Sequence, residues 1–122
     1  MSSILVVEDE DYFRDIIKQV LELEGHHVSG AASGEEAARL CQEFVLDLVI
    51  TDLVMPGMDG LELIRSLRHF DQNLPVLAIS GASEDLLKEA TALGATGTLG
   101  KPFTTDELLA MVDKILGKQP GE

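Results

Sequence analysis

Five short apolar runs recur along the chain, SILVVE at 3–8, HVSGAA at 27–32, DLVITD at 47–52, PVLAIS at 75–80 and TGTLGK at 96–101, and the segments between them carry helical spacing. That alternation reads as βαβαβαβαβα. The cores of three runs, ILVV, LVI and VLAI, have no polar face, so these strands belong in a parallel sheet covered on both sides. The expected fold class is therefore α/β, a doubly wound (βα)5 sandwich with a parallel five-stranded sheet.

The first helix takes its apolar face from Phe13, Ile16, Ile17, Val20 and Leu21, at i, i+3, i+4, i+7 and i+8, and Gly25 stops it. Ser33, with Glu36 three residues on, predicts a capping box for the second helix. Asp59 caps a third whose face runs through Leu63, Ile64 and Leu67, and Ser83 and Thr105 start the fourth and fifth. A chain of 122 residues fits one domain, taken as 1–117, with 118–122 as a tail or the start of a linker.

Composition removes several classes of function. With 22 acidic against 9 basic residues the formal charge is −13, which repels nucleic acid phosphates. No stretch approaches a membrane span and the N-terminus has no basic leader. The lone Cys41 cannot form an internal disulfide and suits core packing in a reducing compartment, so the expected location is cytoplasmic. His26, His27 and His69 lack metal-ligand spacing, and Met55 and Met58 read as packing around a turn.

DLVITDLVMPGMDG ends an apolar strand on a bare carboxylate, Asp52, ahead of a Pro-Gly turn. A charge there needs water, a partner or a metal. Ligands of open α/β sheets bind beyond the carboxyl ends of the strands, and the polar residues fall there: Glu8 and Asp9 after the first strand, Asp52, Ser80 and Lys101 after the third, fourth and fifth. Singly, each has an ordinary explanation as a cap, a turn residue, a satisfied hydroxyl or a solvated charge. Together, three carboxylates in one crevice repel unless a cation sits among them, and few oxygen ligands supplemented by water suit Mg²⁺, or Mn²⁺ in its place. With a cation on one side of a phosphoryl group, Lys101 and Ser80 can take its other oxygens and Asp52 can be the nucleophile.

The ordered motifs ILVVEDE, VITDLVMPGMDG, LAISG and GKPF, from about Ile4 to Leu116, resemble the receiver domain of two-component response regulators. The resemblance implies strand order 2-1-3-4-5, Asp52 as phosphoacceptor, Glu8 and Asp9 as the acidic pair, Ser80 as switch hydroxyl and Lys101 as phosphate-pairing lysine. It also implies a metal ligand from the Val54 backbone carbonyl, a cis Lys101–Pro102 bond, and a histidine kinase or histidine phosphotransfer protein as donor. Output is an unspecified domain or protein, and no turnover of an external substrate is implied. Apolar Val54 and Ala82, flanking the path of an attacking water in that family, imply slow self-dephosphorylation. A haloacid-dehalogenase-type phosphotransferase needs an acid where Val54 stands. A flavin carrier needs a donor-rich loop where Glu8, Asp9, Glu10 and Asp11 stand, and a P-loop fails at Ala95 and Pro102. The non-catalytic alternative is a phosphorylation-independent receiver-like binding module, which usually lacks an acid or the lysine.

Overall fold

Strands apolar on both faces have one stable environment, the middle of a sheet covered on both sides. The computed structural model, which describes residues 2–81 and 84–117, puts them there. Among these residues the chain runs β1 (Ser3–Val7), α1 (Asp11–Leu23), β2 (His27–Ala31), α2 (Gly34–Glu43), β3 (Leu48–Asp52), α3 (Gly60–Phe70), β4 (Val76–Ser80), α4 (Glu84–Ala92), β5 (Gly97–Gly100) and α5 (Thr105–Leu116). All strand pairs are parallel, in the order β2-β1-β3-β4-β5. The fold is flavodoxin-like, as expected.

Side chains alternate across a strand, and that splits the interior in two. Ile4, Val6, Leu48, Ile50, Leu77 and Ile79 meet Ile17 and Leu21 of α1 and Leu108 and Val112 of α5. Leu5, Val7, Val49, Val76 and Ala78 meet Ala37 of α2, Leu63, Ile64 and Leu67 of α3, and Ala90 of α4. Strand order thus reverses between β1 and β3, with helices leaving to opposite faces, and a crevice opens at the carboxyl ends.

Local details differ from the expectation in two places. Ile16 is 41% exposed: at about 100° per residue it rotates off the narrow stripe that Ile17 and Leu21 bury. Ser33 Oγ accepts from the Glu36 N–H at 3.2 Å, but the reciprocal capping box belongs to α5 instead. There Thr105 is the first helical residue, as expected, and Thr104 is the cap, because Glu107 stands three residues after Thr104. The expected helix start at Ser83, the Ala82 position and the segment 118–122 lie outside the described residues.

Asp59 Oδ1 accepts from the Glu62 N–H at 2.9 Å and starts α3 as expected. The next residue, Gly60, is pressed against the main chain at the site: a Cβ there would collide with the Asp52 carbonyl oxygen and with Leu53. Alanine is the better helix former by about 1 kcal/mol, yet the overlap dominates. Gly60→Ala should lower unfolding stability by about 1–3 kcal/mol in urea titration, the usual range for forced overpacking.

Candidate functional site

β1 hands the chain to a loop of consecutive acids whose first member is held at four points. The Glu8 N–H donates to the Ala31 carbonyl of β2 at 3.0 Å, and its own carbonyl accepts from Arg14 Nη1 at 2.7 Å. Its carboxylate accepts from the Glu10 N–H at 3.2 Å through Oε2 and from Lys101 Nζ at 3.2 Å through Oε1. Glu8 is only 2% exposed, whereas the next residue, Asp9, is exposed.

Asp52 closes β3 at 9% exposure. Oδ1 accepts from the Val54 N–H at 3.3 Å, Oδ2 from Lys101 Nζ at 3.1 Å, and the Thr51 hydroxyl donates to the Asp52 carbonyl at 2.9 Å. One carboxylate oxygen each from Glu8, Asp9 and Asp52 can be chosen so that all lie within 4.8 Å of one another. An all-oxygen set with no thiolate or imidazole fits a hard divalent cation.

Lys101 arrives from the far edge of the sheet, directly after β5, and its N–H donates to the Ser80 carbonyl at 2.9 Å. The bond to Pro102 is cis, as the resemblance implies. Its ammonium lies 4.4 Å from the centroid of the Phe13 ring, which Phe103 meets edge-on at 6.0 Å. Gly81 leaves room for its stem, since a Cβ there would stand 3.2 Å from Lys101 Cβ. Ser80 is buried at the end of β4, opposite Gly100 in register and one strand over from Asp52.

Sequence reasoning thus named residues that meet: Glu8, Asp9, Asp52 and Lys101 converge, with Ser80 on the adjoining strand end; for Val54 it named the carbonyl, whereas the contact made to Asp52 is from the amide. It missed two supports. Arg14 was legible only as the single cation in residues 8–17. Phe13 read as core, with nothing in its spacing to assign it to a lysine 88 positions later. The remaining expectations concern packing: Cys41 is half-buried among core residues, its thiol pushed up to about 11 by burial and then by Asp71. His26 is buried and accepts from the Ser2 N–H at 3.3 Å, while His27 and His69 are exposed.

Against known proteins, the family model for the response regulator receiver domain matches residues 4–113. The chain belongs to that family. Receivers are the phosphoacceptor signalling modules of two-component response regulators, and this chain is one. It is 34% identical over 114 residues to sporulation initiation phosphotransferase F of Bacillus subtilis, covering 93% of this chain and 92% of that protein. It is 33% identical over 119 residues to the cell cycle transcriptional regulator CtrA of Caulobacter vibrioides, covering 97% of this chain but only 52% of that protein. A response regulator receiver domain from Clostridium thermocellum superposes with a TM-score of 0.91 at 30% identity, covering 96% of this chain and 95% of that one. Among the described residues no helix is long and apolar enough to cross a membrane.

The electrostatics of this receiver divide its two cornered groups. Burial foremost pushes the Glu8 carboxyl up to about 7; the Asp52 charge adds to the rise, while the Glu10 N–H and Lys101 oppose it. Burial works to lower Lys101, but the hydrogen bond and charge of Asp52, then Glu8, outweigh it and the ammonium is raised. Because the folded state holds the Glu8 proton up to about 7 and the unfolded state releases it near 4.5, ionising Glu8 costs stability as pH rises through that window. In EDTA, Glu8→Gln should therefore gain stability relative to wild type between pH 5 and pH 8, as read by denaturant midpoints; a constant difference would contradict the shift.

Proposed function

We propose that this receiver accepts one phosphoryl group on Asp52 and that Glu8, Asp9, Ser80 and Lys101 serve that transfer. The observation that carries the reading is the Lys101 ammonium bridging Glu8 Oε1 and Asp52 Oδ2. The chain has gathered charges from two other strand ends, those of β1 and β5, around the carboxylate that terminates the central strand. Glu8, Asp9 and Asp52, with the Val54 carbonyl, would hold Mg²⁺ or Mn²⁺, and the bound ion supplies charge neutralisation at phosphoryl oxygens.

The residues' own chemistry follows from their contacts. A carboxylate oxygen of Asp52 attacks phosphorus, the bond from phosphorus to the donor breaks, and the donor leaves with its electron pair, an imidazole in the case of phosphohistidine. Lys101 is already charged and aimed at the acceptor, so it can turn from its carboxylates to an incoming phosphoryl oxygen with little reorganisation. Ser80 offers a hydroxyl from the neighbouring strand end. The product is an acyl phosphate on Asp52, whose formation changes the charge in the crevice and shifts the conformation read by an output domain or protein. The donor is a sensor histidine kinase or a histidine phosphotransfer protein, the setting is cytoplasmic, and the reaction is self-modification rather than turnover. A net charge of −13 argues against nucleic acid as a direct partner of this chain. The alternative, a binding module indifferent to phosphate, is disfavoured because neither an acid nor the lysine is missing.

Incubation with acetyl phosphate and Mg²⁺ should add one phosphoryl group by intact mass. Asp52→Ala or EDTA should remove the adduct, and Lys101→Ala should slow labelling by about 100-fold, the scale for losing one charge-stabilising donor. Labelling of Asp52→Ala at the wild-type rate would overturn the assignment.

The lifetime of the adduct depends on water reaching it. Val54 stands 55% exposed two residues beyond Asp52, and its side chain has nothing to orient a water. Val54→Asn should speed loss of phosphate by about tenfold, or about 1.4 kcal/mol of barrier, in a radiolabel decay assay. An unchanged half-life would remove Val54 from control of the lifetime.

A further inference from the structure

Arg14 reaches back from the first turn of α1 to the acid loop. Nη1 donates to the Glu8 carbonyl at 2.7 Å and Nη2 to Asp11 Oδ1 at 2.6 Å, with the side chain only 18% exposed although Asp11 is 83% exposed. The helix start has a specific need for this. Its cap residue, Glu10, makes no side-chain cap hydrogen bond, and the Glu10 N–H is taken instead by Glu8 Oε2. The turn from β1 into α1 is thus held by Glu8 and by the residue that holds Glu8. With its N–H on Ala31 and its carbonyl on Arg14, both main-chain polar groups of Glu8 are fixed.

The neighbouring strand is cut away to admit the arginine. A Cβ at Gly30 of β2 would stand 3.1 Å from Arg14 Cδ and 3.3 Å from Nε. Gly30 has no positive φ, so space rather than backbone conformation is what a glycine provides there.

We propose that Arg14 is a positioning residue for the acidic site: by clamping the main chain of Glu8 it sets where the carboxylates of Glu8 and Asp9 point, and so how well they hold a divalent cation. The proposal rests on the reading of that site as a cation and phosphoryl site. Its sign separates it from a plain charge effect. As a bystander charge, Arg14 repels a cation, so removing it should tighten binding. As a clamp, its removal should loosen binding, and lysine, a point charge without a planar fork, should not restore it.

The test is calorimetric titration of the full chain with Mg²⁺ at one pH, together with the acetyl phosphate labelling rate, for wild type, Arg14→Gln, Arg14→Lys and Gly30→Val. Gly30→Val leaves the arginine intact but fills its space. Valine suits an edge strand better than glycine, so this variant keeps the test alive if Arg14→Gln does not fold. Each variant that unfolds cooperatively should bind Mg²⁺ about tenfold more weakly, the lower end of the effect of outer-shell partners on metal affinity. Labelling should fall at low Mg²⁺ and largely recover at saturating Mg²⁺, a split that general loss of structure does not produce. Tighter or unchanged binding in Arg14→Gln, or wild-type affinity in Arg14→Lys and Gly30→Val, overturns the clamp while leaving the site reading intact. A wild type that neither binds Mg²⁺ nor takes up phosphate overturns both.

Discussion

Three carboxylates with oxygens within 4.8 Å of one another repel, and the repulsion is stronger for being partly out of water. Much else in this molecule answers that repulsion. Lys101 bridges two of the acids, and the Glu10 and Val54 amides each donate to one. The protein concedes part of the charge, since Glu8 holds a proton to about pH 7. The sheet supplies the rigidity that keeps the groups from simply moving apart: Glu8 follows a central strand and Asp52 ends another, each paired on both sides.

The legible part of this arrangement was the part written in residue types at strand ends. Apolar runs fixed β1, β3 and β4 to within a residue because burial on both faces admits few other residues. An acid or a lysine at the close of such a run stands out against it. What could not be read were contacts made across the sheet by residues with an adequate local reason to exist. Phe13 satisfies a helical periodicity whether or not an ammonium rests on it, and Arg14 in an acidic helix start looks like ordinary charge balance. Ile16 was misjudged by one step of rotation, the scale at which sequence patterns blur.

The aromatic pair also explains how a lysine crowded by its surroundings stays in one place. A long, flexible stem loses rotamer freedom when it is pinned. Here the ring of Phe13 from α1, backed by Phe103 before α5, and the gap at Gly81 define the path. Helix α1 and the segment leading into α5, on one face of the sheet, thus help hold the charge that the three carboxylates require.

Among the described residues β5 is both the last strand and an outer edge of the sheet, so the lysine reaches the acids from the sheet's rim. Strands β1 and β3 bring Glu8 and Asp52 together, and the ammonium that lies between their carboxylates comes from beyond β4. The acids thus belong to the inner strands of the sheet and the charge that reconciles two of them to its rim, so the site leans on the outermost strand pair as much as on the core.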